Sequence, residues 1–292
     1  MNSTPTNTAA QSALGVTGTL LESARQTLLM FRHRRLMLLV PVVLALMFGF
    51  AFVVAGQVHD RTDGVHLYCV LAWWGLGTVV VPWMTLYLGV QAVHGQLEDR
   101  TSQYLFLRPV RRVPLLLGKS LAVALVSAGV ACAGAAALYA GVAAHGDLWP
   151  DGREPALLAT FGVVLCLGVI AYSGAAAFFG ATFRRPLAWA AFFVVGVQML
   201  AANLPVSAGM RRMTVTDPLR RVLLDQLEPT RELARDLWPA QRSEARLADD
   251  LVGSFRFELG SPLSDLLIFT AVCLALGAWR YATTEYESRG RD

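Results

Sequence analysis

Apolar residues along this chain are gathered into six long runs, and most polar residues lie in the connections between them. A helix needs about 20 apolar residues to cross the hydrocarbon core of a bilayer, so each run is a candidate transmembrane helix. The runs are Leu36–Gly56, Val65–Val93, Val113–Ala144, Pro155–Phe183, Pro186–Pro205 and Pro262–Tyr281. The pattern predicts an all-α polytopic membrane protein with a six-span transmembrane domain over residues 36–282. Tails at residues 1–35 and 283–292 flank this domain.

A different helical pattern precedes the first run, from Thr17 to Arg35. Its apolar face carries Leu20, Leu21, Ala24, Leu28 and Phe31, and the residues off that face are Glu22, Arg25, Gln26 and Arg32. A basic amphipathic helix beside a span typically lies in the membrane interface. We therefore expect an N-terminal interface helix; a cytoplasmic extension of the first span is the alternative. The residues expected to make its contacts are Leu21, Arg25, Leu28 and Arg32.

Small residues recur four positions apart in the third and fourth predicted spans. They are Ala124, Ala128, Cys132, Ala136 and Ala140 in the third span, and Ser173, Ala177 and Ala181 in the fourth. Small residues at this spacing allow helices to pack closely in lipid. The packing could be within one chain or between two copies.

Composition and charge support a membrane protein and suggest its orientation. The chain is 55% apolar and 16% charged, with a mean hydropathy of +0.48, whereas soluble domains are about 25% charged. Arginines precede the first span, occupy the even connections and follow the last span, but the short first and third connections hold only Arg61 and Arg153. The positive-inside rule then places both termini on the cytoplasmic side of the membrane, which we expect to be a bacterial inner membrane. The net charge of +4 reflects this topology and does not predict nucleic-acid binding.

The connection over residues 207–261 is much longer than the others and holds nine arginines and nine acidic residues. Asp217 and Pro218 predict the start of a short helix, with an N-cap and a proline in the first turn. Leu219, Val222, Leu223 and Leu227 would share its apolar face. Two further short helices are predicted over Thr230–Trp238 and Ser243–Phe255. We expect this region outside the cell, lying on the outer interface or capping the spans.

Neither catalysis nor ion coupling is predicted from the residues. The Gly118-Lys119-Ser120 sequence resembles the end of a phosphate-binding loop, but Val113 replaces its first glycine and no strand precedes it. No charged residue lies in the middle of a predicted span, where ion-coupled carriers place theirs, so we expect the energy source outside this chain. Gln91, Gln198 and Asn203 are expected to form interhelical hydrogen bonds, or alternatively to line a translocation path. The cysteines, expected to be packing residues without metal-ligand spacing, are Cys69, Cys132, Cys166 and Cys273.

The connection between the second and third spans carries the most informative pattern. Glu98 and Asp99 suit the N-terminal turn of a short helix, and Pro109 ends it because the residue before a proline avoids helical geometry. Its partly apolar face carries Leu97, Thr101, Tyr104, Leu105 and Leu107. The basic residues expected at headgroup level are Arg108, Arg111, Arg112 and Lys119. From these residues alone, an ordinary positively charged loop is the alternative.

This segment resembles the region after the second span of type-2 ABC exporter permeases, in particular the six-span permeases similar to the nitrous-oxide-reductase maturation group. The matching residues are Glu98, Thr101, Leu105, Leu107, Pro109, Val110, Arg112, Gly118 and Lys119. Arg100 and Arg111 depart from the pattern, where a glycine and a small residue are usual.

The resemblance implies a non-catalytic permease subunit that binds no cofactor or metal. Two copies, or one copy and a homologue, would pair with two ATP-binding subunits that hold the ATP and magnesium. A cytoplasmic coupling helix would sit in a groove of the ATPase, and the N-terminal helix would touch it too. The residues implied to couple are Glu98, Asp99, Thr101, Tyr104, Leu105, Arg108, Pro109 and Arg112. Two alternatives stay open: an energy-independent carrier, and a membrane scaffold or sensor that binds a partner through residues 207–261.

Overall fold

A computed structural model describes residues 16–33, 39–58, 64–98, 112–145, 154–201, 214–227, 237 and 262–283 of the chain. Within these ranges the protein is all-helical, as predicted. The α-helices are α1 (Val16–His33), α2 (Leu39–Val58), α3 (Gly64–Leu71), α4 (Val81–Glu98), α5 (Arg112–Ala143), α6 (Glu154–Thr182), α7 (Pro186–Phe192), α8 (Thr216–Leu227) and α9 (Pro262–Thr283). Two π-helical segments continue α3 and α7: π1 (Ala72–Val80) and π2 (Phe193–Ala201).

Five helical stretches are long and apolar enough to cross a membrane, which makes the chain an integral membrane protein. They are Val40–Gln57, Gly64–His94, Arg112–Ala143, Ala156–Thr182 and Pro262–Thr283. The fifth predicted run forms a shorter apolar helix, Pro186–Met199. At 1.5 Å per residue such a helix is about 21 Å long, less than the ~30 Å hydrocarbon core. Five of the six predicted spans therefore have the required length, and the predicted end of the other lies outside the described residues.

The fourth predicted span, α6, lies at the centre of the bundle because its small residues let neighbouring helices approach. Residues 171–177 are all buried. A Cβ on Gly89 of α4 would fall 2.4 Å from Ala176 Cβ, and one on Gly180 would fall 2.9 Å from Val93 Cβ. Glycine at both positions therefore allows the close packing of α4 on α6. The small-residue stripe of α5 differs, since Cys132, Ala136 and Ala140 are exposed.

The predicted N-terminal helix forms, and it packs on α5 through a face only partly predicted. Ser23, Ala24, Thr27 and Phe31 are buried, whereas Leu21 is 65% exposed. The buried face differs from the predicted apolar face because the close packing of α1 on α5 favours small side chains over leucines. At the contact point a Cβ on Gly118 would lie 2.4 Å from the carbonyl oxygen of Leu20.

Several basic residues lie at one end of the bundle. α4, α6 and α9 end there and α5 begins there, since Val93, Leu116, Ala181 and Tyr281 of these helices share an apolar cluster. Arg112 Nη1 also donates a hydrogen bond to the carbonyl oxygen of Ala282 at 3.2 Å. Arg184, Arg185 and Arg280 lie at this same end, which we call the basic end. The ends of the second connection and the fourth connection therefore lie at one end of the bundle, and the orientation inferred from their charges stays a prediction.

Candidate functional site

The predicted coupling segment is anchored in the structure at both of its ends. Glu98, expected to begin a new helix, is the last residue of α4, and Arg112 is the first residue of α5. The intervening residues lie outside the described part of the chain, namely Asp99, Thr101, Tyr104, Leu105, Arg108 and Pro109. A force on this segment would therefore enter the bundle through the end of α4 and the first turn of α5.

Arg112 ties the first turn of α5 to the last turn of α9. The final carbonyl groups of a helix have no partner within the helix, and a guanidinium is a favourable donor to them. The hydrogen bond to Ala282 uses this complementarity. Arg112 thus has a structural contact within the chain, in addition to any part it takes in coupling.

The first turns of α5 are also joined to α1. The hydroxyl of Ser23 donates a hydrogen bond to the carbonyl oxygen of Leu115 at 2.9 Å. A Cβ on Gly118 would meet both Leu20 and Ser23 at less than 3 Å, so the two helix backbones touch at this glycine. The glycine of the motif therefore permits the contact through which α1 and α5 can move together.

Lys119 is buried in the bundle, with only 3% of the residue exposed. Burial does not test its depth in the membrane, so its position at headgroup level stays a prediction. Leu116 and Val123, one turn before and after it, are buried in separate apolar clusters. No ion pair joins Lys119 to a residue in the described ranges. The sequence offered no sign of this burial, since a lysine near a span end usually reaches the interface.

Two of the four predicted contact residues of the interface helix are exposed. Positions 21, 25, 28 and 32 are spaced by four, three and four residues, which places them on one helix face. Leu21 and Arg25 are exposed and Leu28 is half-buried; the side chain of Arg32 lies outside the described set. Arg25 makes a 3.8 Å ion pair with Glu22, which contributes little at such exposure. Leu21 and Arg25 are therefore accessible to lipid headgroups or a partner.

A second polar site is centred on the N-terminus of α8. The side-chain oxygen Oε1 of Gln198, in π2, accepts hydrogen bonds from the backbone N–H groups of Val215 and Thr216 at 3.0 and 3.2 Å. The hydroxyl groups of Thr216 and Tyr172 donate to the same oxygen at 3.0 and 3.4 Å. Gln198 therefore makes the interhelical hydrogen bonds predicted for it, and it satisfies donors that a helix N-terminus leaves unpaired.

The residues that cap the N-terminus of α8 are not the predicted ones. The hydroxyl oxygen of Thr214 accepts a hydrogen bond from the N–H of Asp217 at 3.3 Å, so Thr214 and Gln198 take the role expected of Asp217. Asp217 itself is fully buried and forms an ion pair with Arg221, with 2.8 Å between Oδ2 and Nη2. This contact lacks hydrogen-bond alignment and is a pairing of charges.

Most of α8 is buried among the other helices, so it does not lie on the surface of the bundle, and the alternative that this connection caps the spans on the outer side stays a prediction. Gly168 is the midpoint of α6, since residues 154 and 182 are each fourteen positions away, and a Cβ there would lie 3.0 Å from Leu219 Cδ1. Arg220 is fully buried, with its guanidinium carbon 5.4 Å from the ring centre of Trp73 in π1. Such a contact is a cation–π interaction.

Both π-helical segments thus meet the same short helix. π1 supplies Trp73 and π2 supplies Gln198. Departures from α-helical geometry inside helices are frequent at functional sites, because they redirect side chains and backbone groups. Sequence analysis noted Gln198 and the Asp217-Pro218 start, but no signal connected them to Trp73, which is far away along the chain. The other two helices predicted in this connection lie outside the described residues, apart from the buried helical residue Leu237.

Comparison with known proteins adds no identification: no protein-family model matches the chain and no curated protein matches it. Within the described ranges, no group of three or more histidine, cysteine or acidic side chains could hold a metal ion.

Proposed function

We propose that this chain is the transmembrane permease subunit of an ABC exporter. It would couple ATP hydrolysis by a separate ATP-binding subunit to movement of a substrate across the membrane, or to transmission of force through it. The observation that carries the proposal is the position of the segment resembling a coupling helix. The described residues next to it are Glu98, the last of α4, and Arg112, the first of α5, and the second turn of α5 carries the contact between α1 and Gly118.

The proposed mechanism needs this chain only to bind and to transmit movement. Two permease copies, or one copy and a homologue, pair with two ATP-binding subunits in a bacterial inner membrane. Both termini and the basic end face the cytoplasm, and Pro186–Pro205 completes a sixth span. Closure of the ATPases around ATP pushes the segment over residues 98–112. The push enters α5, and α1 and α9 follow because Ser23 and Arg112 bond α5 to them.

The first test of this function replaces Tyr104 and Arg108 with alanine in the purified complex. We expect stimulation of the ATPase and transport to fall by about tenfold, within the range of typical coupling free energies. The matched control is Arg61→Ala, in the first connection at the predicted opposite side. Full stimulation by the Tyr104 and Arg108 variants, with the complex still assembled on size-exclusion chromatography, would disprove the coupling role.

An energy-independent carrier is the second candidate, and one observation favours it. Ionisable groups within a membrane domain usually mark a substrate or ion pathway. Although the spans carry no charge at their centres, α8 buries Asp217 and Arg220 within the bundle, and Leu219 between them in the sequence packs against Gly168 at the midpoint of α6. Transport by proteoliposomes that contain this chain alone, abolished by Asp217→Asn, would establish the carrier. Transport only with the ATPase present and ATP supplied would favour the exporter.

A further inference from the structure

A cavity of about 360 Å³ opens at the basic end, between α4 and the turn that joins α6 to α7. Gln91 and His94 line its wall on the α4 side. Arg184 and Arg185 line it on the side of the turn, and none of the lining residues that the structure describes is acidic. The cavity therefore combines two fixed positive charges with polar side chains in a recess between helices.

The turn holds both arginines at the opening for a local reason. α6 ends at Thr182 and α7 begins at Pro186, so only three residues connect the two helices. Pro186 is buried, which fixes the turn, and Arg184 and Arg185 are exposed. Neither guanidinium group makes a hydrogen bond or an ion pair with the residues that the structure describes, whereas the backbone carbonyl of Arg185 accepts a hydrogen bond from the N–H of Trp189 at 3.4 Å. Two adjacent guanidinium groups can form charge-assisted hydrogen bonds with the oxygen atoms of a phosphate.

The surface beside the cavity is apolar and continues along α7 into the membrane region. Leu187, Trp189 and Phe192 are all exposed on this short helix. Trp189 stacks on Phe183 with 4.9 Å between ring centres, which gives the surface a rigid aromatic element. A soluble anion would use only the arginines, whereas a phospholipid would place its phosphate in the cavity and its acyl chains against this surface.

We propose that this cavity binds the headgroup of an anionic phospholipid. Arg184 and Arg185 contact the phosphate, Gln91 and His94 line the headgroup pocket, and the acyl chains lie along Leu187 and the aromatic residues that follow. Basic pockets between helices near the membrane surface recognise anionic headgroups in this way. The bound lipid would hold the α6–α7 turn against α4. This site depends only on the chain being in a membrane, and not on the proposed exporter function.

The test measures binding of short-chain lipids to the purified protein in detergent, by native mass spectrometry. The probes are dioctanoyl phosphatidylglycerol, dioctanoyl phosphatidylcholine and inorganic phosphate. We expect phosphatidylglycerol to bind more tightly than phosphatidylcholine, and inorganic phosphate not to displace it at equal concentration. The double variant R184Q/R185Q should bind phosphatidylglycerol about 30-fold more weakly, given the usual contribution of each basic residue near a membrane surface. The variant R184K/R185K keeps both charges and should retain most of the binding. That result would show that R184Q/R185Q loses affinity because it loses charge.

The matched control is R61Q/R153Q, which removes the same charge from the short first and third connections, predicted to lie on the opposite side of the membrane. Its affinity should stay within about threefold of the unmodified protein. Equal binding of the two lipids, or an equal loss in the control, would overturn the proposal. Displacement by inorganic phosphate at equal concentration would show a site for a free anion instead. If R184Q/R185Q keeps the lipid but no longer retains an ATP-binding subunit, the arginines serve a protein partner and the lipid site is wrong.

Discussion

The contact between α1 and α5 can be tested by adding one methyl group at Gly118. In the variant Gly118→Ala, the new Cβ would lie 2.4 Å from the carbonyl oxygen of Leu20 and 2.9 Å from Ser23 Cβ. Real Cβ atoms do not approach other heavy atoms to less than 3.0 Å, so the Leu20 backbone must retreat by at least 0.6 Å, the difference between 3.0 and 2.4 Å. A backbone atom cannot move this far alone, so α1 as a whole must shift.

The size of the effect follows from the cost of overpacking. An extra carbon in a well-packed contact costs about 1–3 kcal/mol. Alanine is the better helix former, but this advantage applies to α5 whether or not α1 is docked, so it cancels in the docking equilibrium. Docking of α1 should therefore weaken about 5- to 150-fold, at a factor of ten for each 1.4 kcal/mol.

Hydrogen exchange measures this equilibrium directly, because local opening of α1 exposes its amides. Amides of residues 16–33 should exchange faster in Gly118→Ala by the same factor, while amides of α6 keep their protection. Gly129→Ala is the matched control in the same helix, since a Cβ there meets nothing within 4 Å. Unchanged exchange of α1 in Gly118→Ala, or an equal increase in Gly129→Ala, would refute the contact.

Three further predictions test the packing around this contact and the polar site. Ser23→Ala should weaken docking of α1 by about 1 kcal/mol, measured by the same exchange experiment, and should add less than its full effect to Gly118→Ala because both changes act on one contact. Gln198→Leu should destabilise the protein by about 2–4 kcal/mol in thermal unfolding, because it leaves buried backbone N–H groups of α8 without an acceptor. Copper-phenanthroline oxidation should link Cys132 to Cys166, whose sulfur atoms are 3.7 Å apart, and block alkylation of both. Replacing either cysteine with serine should restore alkylation of the other. Free thiols at both positions after oxidation would contradict the packing of α5 on α6.

The positions of the long helices could be predicted from the sequence because they depend on local hydropathy. The third span was predicted over Val113–Ala144 and is observed as Arg112–Ala143. Length was harder to judge for the run that begins at Pro186, where the apolar residues continue beyond the described helix. Small residues spaced by four were equally visible in α5 and α6, yet of these two sets only the one in α6 is buried. Spacing shows that a helix can pack closely, but the position of its neighbours decides which face does so.

The burial of Lys119 depends on an interaction that no local pattern contains. Its neighbours along the chain are typical of a span entering the membrane, where a lysine normally extends to water. Leu116 and Val123, one turn before and after it, are buried in apolar clusters with residues of α4, α6 and α9 and of α1 and α4, respectively. These helices are distant in the sequence, so the residues around Lys119 do not reveal its burial. Gly118, beside it, admits the backbone of α1 because it has no side chain.

The polar site at α8 shows that a lack of charges at the centres of the spans does not mean that the membrane domain lacks ionisable groups. The leucines of α8 were predicted to share a face, and Leu219 and Leu223 are indeed buried. Its polar face was expected to meet water, but a helix inside a bundle can bury polar groups when the surrounding helices supply partners. Here π1 and π2 supply them, through an aromatic ring for Arg220 and an amide oxygen for the backbone. A connection can therefore bring ionisable groups into a membrane domain whose spans have none at their centres. Transport assays with and without the ATPase must decide whether these groups stabilise the bundle or contact a substrate.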